Sequence, residues 1–322
     1  MKILITGAGG FIGSHLVEKL SEEYKIFAFV RYNSQGNIGN LKFINKEKFK
    51  NIEIIFGDLR AREEVEKIVR KSDLVINLAA NISVKRSFEN PEEIFFNNLL
   101  ITFNILHALK NKKIPLIHFS TSEVYGKPEK LPIKEDYLKK ALSPYAASKI
   151  ASDELVRSIC SYENIPFLIV RPFNTYGPRQ SIRALIPWII YEILNSKQIR
   201  VGNLNSKRDF IHVKDLVRIL EIIIKKELYG EEEINICSGK SYSVKEIIEM
   251  LFEITGVRKE IKEIEERKRP FKNEIMELRG NTKKLKKLTG KIKLTDFKKG
   301  LKETFEFYKK SGFDSPENFS IL

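Results

Sequence analysis

Lys2-Ile3-Leu4-Ile5-Thr6-Gly7-Ala8-Gly9-Gly10-Phe11-Ile12-Gly13 is the stretch that decides the fold of this 322-residue chain. Residues 2–6 carry the apolar run of a buried strand. Gly7, Gly10 and Gly13 follow at intervals of three, and Phe11, Ile12, Leu16, Val17 and Leu20 recur at helical spacing. Strand, glycine turn and helix in that order make an anion site. Gly7 permits the tight turn, and Gly10 lets the backbone approach a pyrophosphate. Gly13 allows close packing of helix on strand, while the first N–H groups of the helix face the negative charge. A glycine triplet alone is a weak signal; its place between strand and helix gives it weight.

Outward from this stretch the same alternation continues. Residues 25–30, 52–56, 74–78, 115–119 and 167–170 are short apolar runs separated by helical patterns. Strands of this kind predict βαβ units and a parallel sheet covered on both faces, hence an α/β, doubly wound (Rossmann) fold. After Pro172 the alternation loosens. Helical runs at 184–194, 216–224 and 244–254 and a strand-like piece at 234–236 predict a smaller C-terminal α/β lobe. The expected division is a dinucleotide-binding domain at 1–172 and a mainly substrate-binding lobe at 173–322, with some elements returning to the sheet.

Composition narrows the function classes. A hydrophobic share of 42% supports a packed core. No apolar run reaches the roughly 18 residues of a membrane span, and the N-terminus enters a strand directly, so a cytoplasmic protein is expected. Cys160 and Cys237 have no partner spacing and are expected to be reduced core residues. The four histidines show no ligand spacing, so no metal site is expected. Net charge is +15, but residues 279–310 hold twelve Lys or Arg against three acids, a local +9. That concentration, without aromatic interleaving, speaks against nucleic acid as a partner and suits an anionic substrate.

Two further segments carry chemistry. Tyr145-Ala146-Ala147-Ser148-Lys149 sets a phenol and an ammonium at i and i+4 on one helix face. A nearby cation stabilises phenolate, which predicts a Tyr145 pKa below the free value of roughly 10. In Ser120-Thr121-Ser122-Glu123-Val124-Tyr125-Gly126, a carboxylate stands at the C-terminal end of a strand, where it can remove a proton alpha to a carbonyl. Its plain structural alternative is a helix cap. Arg31, at the end of the second strand, cannot accept from a ribose hydroxyl. With Asn33 and Ser34 it suits a 2′-phosphate, which favours NADP; an arginine stacked on adenine over bound NAD is the alternative.

The glycine spacing, the Tyr145–Lys149 pair, Val30-Arg31-Tyr32-Asn33-Ser34, Ser143-Pro144-Tyr145 and Arg171-Pro172-Phe173-Asn174-Thr175-Tyr176-Gly177-Pro178-Arg179 together resemble the extended short-chain dehydrogenase/reductases. Within them the match is to NAD(P)-dependent nucleotide-sugar epimerases and dehydratases, most of all the 4,6-dehydratases of the legionaminic-acid pathway. The resemblance implies a tightly bound, recycled NADP or NAD held by Gly7, Gly10, Phe11, Ile12, Gly13, Arg31, Asn33, Ser34, Asp58, Leu59, Leu78, Ala79, Ala80, Asn98, Tyr145 and Lys149. It implies catalysis by Thr121, Ser122, Glu123, Tyr145 and Lys149, with Thr121 on the C4 hydroxyl. Ser122 stands where dTDP-glucose dehydratases carry an acidic aspartate, so Glu123, a water or a second tyrosine must protonate the leaving hydroxyl. Asn174, Arg179, Arg208 and Arg269 are the implied contacts to the nucleotide sugar. The implied reaction oxidises C4, eliminates water across C5 and C6 and returns hydride to C6 of a UDP- or GDP-linked hexose such as N-acetylglucosamine. A 4-epimerase or UDP-glucuronate decarboxylase is the alternative, and a non-catalytic RNA-binding or scaffold member a remote one. A homodimer is implied as well, through the Tyr145 helix and the helix containing Ile101.

Overall fold

Residues 2–6 form an interior strand of the sheet because their side chains find apolar cover on both faces. Ile3 and Ile5 join Leu16 and Leu20 on one side of the sheet, and Leu4 joins Val65, Leu106 and Val156 on the other. The computed structural model describes residues 1–230, 233–267 and 274–313. The first half contains β1 (Lys2–Thr6), α1 (Phe11–Leu20), β2 (Lys25–Arg31), β3 (Ile52–Gly57), α2 (Arg62–Val69), β4 (Leu74–Asn77), α3 (Val84–Glu89), α4 (Pro91–Leu109), β5 (Leu116–Phe119), α5 (Pro144–Glu163) and β6 (Phe167–Pro172). Then come β7 (Asn174–Tyr176), α6 (Leu185–Asn195), β8 (Gln198–Val201), β9 (Lys207–His212), α7 (Val213–Lys225), β10 (Glu233–Ile236), β11 (Ser241–Ser243), α8 (Val244–Thr255), β12 (Glu260–Glu263), β13 (Glu277–Leu278), α9 (Lys283–Thr289) and α10 (Phe297–Ser311).

Seven of the described strands pair in the order β10-β6-β5-β4-β1-β2-β3, all parallel. The chain runs outward from β1 to β3 and returns past β1 to β4. That reversal opens a crevice at the carboxyl ends of β1 and β4, where doubly wound sheets bind ligands. The expected fold class is the observed one.

The strand at 234–236, read from sequence among the pieces of the lobe, is the outer strand of the main sheet beside β6. Ile234 and Ile236 are fully buried there, in the same core as Leu216, Ile219, Leu220 and Ile223 of α7. Two apolar residues in a short run cannot say which sheet they join. The lobe itself is built on β9, which pairs with β7, β11 and β13, and on the β8–β12 pair. Ile189 of α6, Ile248 of α8 and Leu301 of α10 form its core. No described helix is long and apolar enough to cross a membrane.

Candidate active site

A cleft of about 1010 Å³ opens over the crevice between β1 and β4. Gly7 adopts φ +66°, and a Cβ built on it would lie 3.0 Å from the Ala79 nitrogen. A Cβ on Gly13 would come within 2.2 Å of the Gly7 carbonyl oxygen, so glycine alone lets α1 begin this close to the loop. Gly7, Gly10, Phe11, Ile12 and Gly13 form one wall, and Leu78, Ala79 and Ala80 face them. Arg31 and Asn33 stand at the rim. This is the cradle a dinucleotide needs: backbone N–H groups at a helix start, small residues opposite, and a cation at the far end.

The catalytic candidates share the other end of the same cleft. Thr121, Ser122, Glu123, Tyr145, Lys149 and Asn174 all line it. Ser143 caps α5, accepting from the Ala146 N–H at 3.1 Å, and Pro144 opens its first turn. That start aims Tyr145 and Lys149 into the cleft. Thr121 caps a single 3-10 turn (Ser122–Tyr125) by accepting from the Glu123 N–H at 3.2 Å, and the turn carries Glu123 to the cleft wall. The Thr121 hydroxyl also favours the ionised form of the Tyr145 phenol. Glu123 is the one carboxylate among the described residues that line the cleft.

Burial shapes the charges. It pushes the Tyr145 phenol above its ordinary range, with Glu123 acting in the same sense and Thr121 opposing. The direction is the reverse of what the spacing of Tyr145 and Lys149 predicts, because the cost of desolvating the phenolate dominates. Burial also pulls Lys149 down to about 8, although Asp153 favours its charge.

Behind the lysine lies a buried polar chain. His118 Nε2 is 3.3 Å from Lys149 Nζ, and Asp153 pairs with Arg171 at 2.9 Å while accepting from Ser120 Oγ at 2.8 Å. Arg171 is fully buried. Burial opposes its charge, yet Asp153, Tyr125 and Glu233, the last at 2.6 Å, outweigh that and hold it as a guanidinium. From sequence His118 was weighed only as a metal ligand. The converging partners come from β4, α5 and β6, which no local pattern reveals.

Several expected site residues lie elsewhere. Asp58 does not line the cleft; Arg60 two residues on engages its carboxylate at 2.5 Å and lowers its pKa. Leu59 is buried in the core. Ser34 is exposed beyond the rim, while Gln35 and Asn37, not anticipated, line the cleft. The signal was present in Asn33-Ser34-Gln35-Gly36-Asn37, since the Asn33 side chain bonds the Asn37 N–H at 2.8 Å and carbonyl at 2.9 Å to fold the loop. Asn98 ties elements together instead of facing the cleft, accepting from the Asn81 N–H at 2.7 Å and donating to Ser148 Oγ at 2.9 Å. Arg179 pairs with Glu18 at 2.6 Å, which turns its guanidinium to α1 and away from the cleft lining. Arg208 donates to the Ile275 carbonyl at 2.8 Å. Arg269 lies outside the described residues. Cys160 and Cys237 are free and buried, and among the described residues no three potential metal ligands converge.

Residues 4–313 match the family model described as GDP-mannose 4,6 dehydratase. The chain belongs to that family. A GDP-6-deoxy-D-talose 4-dehydrogenase of Aggregatibacter actinomycetemcomitans is 32% identical over 273 residues, 82% of this chain and 84% of the relative. Among solved structures, the dTDP-glucose 4,6-dehydratase of Bacillus anthracis with NAD superposes with a TM-score of 0.84 at 27% identity, covering 97% of each chain. UDP-glucuronic acid 4-epimerase of Bacillus cereus, solved with UDP-glucuronic acid and NAD, gives 0.86 at 29% identity over 96% of this chain and 99% of that one. The GDP-mannose 4,6-dehydratase family and these neighbours are NAD-dependent enzymes of the extended short-chain dehydrogenase/reductase type, the type the glycine loop and the Tyr145–Lys149 pair imply.

Proposed function

We propose that the chain is a nucleotide-sugar 4,6-dehydratase. One observation carries this reading: Glu123, the one carboxylate among the described lining residues, shares the cleft wall with Thr121 and Tyr145. Oxidation at C4 needs only a base for the hydroxyl proton, whereas elimination of water needs a second group to take the proton from C5.

The work of each residue follows from its place. Thr121 orients the C4 hydroxyl and Tyr145 takes its proton, with the Lys149 ammonium lowering the energy of the phenolate. A nicotinamide cofactor, NAD or NADP, held along Gly7, Gly10 and Gly13 with Lys149 at its far end, would supply a reversible hydride acceptor for C4 and C6. The C4 ketone acidifies C5, and Glu123 removes that proton. Ser122 is no acid of the required strength, and Tyr145 is the one tyrosine among the described lining residues. Glu123, directly or through a water, then passes its proton to the C6 hydroxyl, which leaves as water. Tyr145 returns its proton at C5, so the product is a 4-keto-6-deoxy sugar. Asn174, which lines the cleft, is the proposed contact to the sugar nucleotide, and Arg269 a proposed diphosphate contact.

The legionaminic-type motifs around Tyr145 and Asn174 make a UDP- or GDP-linked N-acetylhexosamine the first substrate to try. Mass spectrometry after incubation with UDP-, GDP-, dTDP- and CDP-hexoses tests the reading. Loss of one water is expected. An isomer of unchanged mass would identify an epimerase, and loss of carbon dioxide a decarboxylase. Arg31, with Asn33, is the proposed 2′-phosphate site. Arg31→Asp is then expected to weaken NADP relative to NAD by about tenfold or more in a titration of both cofactors. Strong NAD selectivity in the unaltered protein would exclude that role.

A further inference from the structure

His118 is fully buried on β5 and stands between two groups that donate hydrogen bonds. Lys149 Nζ lies 3.3 Å from its Nε2, and the Asn77 amide nitrogen lies 3.2 Å from its Nδ1. The charged groups around it are Lys149 and Asp153 from α5 and Arg171 from β6, with Asp153 Oδ1 3.7 Å from Nε2. Burial, then Lys149 and Arg171, keep the imidazole neutral. A neutral imidazole has one N–H and one lone pair, so it cannot accept at both nitrogens. An ammonium only donates. A charged Lys149 therefore requires the lone pair on Nε2 and the ring proton on Nδ1.

Asn77 decides whether that arrangement is available. With its oxygen turned to Nδ1 it accepts the ring proton and leaves Nε2 free for the ammonium. With its oxygen on Thr6 Oγ1, at 2.7 Å, its nitrogen meets Nδ1 and the ring proton must sit on Nε2, which suits an uncharged lysine. Thr6 Oγ1 also accepts the Ala79 N–H at 3.2 Å, so the chain of contacts ends on the cleft wall opposite the glycine loop.

We infer that His118 is a positioning residue that gives the Lys149 ammonium its acceptor inside the protein, with Asn77 selecting the ring nitrogen that accepts. The inference rests on reading Lys149 as the cation that serves Tyr145, but its test needs no substrate. The free energy of unfolding is measured from about pH 6 to about pH 11 for the protein and for Lys149→Met. The pH at which the two begin to converge marks the titration of Lys149 in the folded state. Convergence is expected to begin near pH 8 in the otherwise unaltered protein. In a His118→Leu background it should begin about one pH unit lower, because the ammonium loses a charge-assisted bond. In His118→Gln, whose amide oxygen can accept, it should stay near its original value.

Asn77→Leu should move the onset only while His118 is present, because it acts through Nδ1, and added to His118→Leu it should move it no further. An onset unmoved by His118→Leu, or moved equally by His118→Gln, overturns the inference. If His118→Leu does not fold, the Gln and Asn77→Leu backgrounds answer the same question. Failure of every nucleotide sugar to react would sink the proposed function and leave this titration untouched.

Discussion

Glu123 and Lys149 make opposite demands on the protein. Glu123 sits on a turn capped by the Thr121 hydroxyl, so Glu123→Gln keeps that cap and removes the base. Turnover is expected to fall by about 10²–10⁴-fold with cofactor affinity unchanged, measured by product formation and calorimetry. A variant that still dehydrates within tenfold of the original would place the base elsewhere. Lys149 is a buried charge whose pKa drops from 10.5 to about 8 on folding. Below pH 8 the folded state carries the whole penalty, on the order of 3 kcal/mol. Between pH 8 and 10.5 the unfolded chain holds the extra proton, so stability rises with pH and the penalty fades. Lys149→Met is accordingly expected to abolish turnover yet raise the melting temperature at pH 7, with the gain vanishing by about pH 10.5. Activity here is maintained against stability, as is common at catalytic sites.

Elements place these residues through their ends. The start of α1 is fixed by contact between Gly13 and the Gly7 carbonyl, where an added methyl group would meet oxygen at 2.2 Å. Gly13→Ala must push the helix from the loop. Cofactor affinity is expected to fall at least about tenfold, together with the melting temperature, as read by calorimetry and thermal denaturation. A variant that binds normally would show that the loop tolerates the shift. At this scale much was legible in the sequence. Six sheet strands were placed from apolar runs and flanking turns, and the start of α5 is written locally in Ser143 and Pro144. Membership of β10 in the main sheet was not legible, since β6 and β10 are joined only by long-range pairing.

At the scale of the molecule, α4 exposes Phe96, Leu100 and Phe103 on one face, 63%, 42% and 39% accessible. Ile101, the residue singled out from sequence, instead packs part-buried against the core shared by α2, α4 and α5. The family resemblance implies pairing through α4 and α5, and this stripe is the surface proposed to be covered. Replacing Phe96 and Leu100 together by Glu is expected to turn a dimer into a monomer in light scattering; an unaltered chain that is already monomeric would refute the pairing. The sequence by itself determined the glycine cradle, the strand–helix alternation and the i, i+4 pairing of Tyr145 with Lys149, because each depends on spacings within a few residues, while Thr121 and Glu123 became candidates through the family resemblance. Only the tertiary structure decided that Arg179 turns to Glu18, that Tyr145 is driven up in pKa instead of down, and that His118 stands behind the lysine. Those outcomes depend on desolvation and on partners from strands and helices far apart in the chain, which no local pattern records.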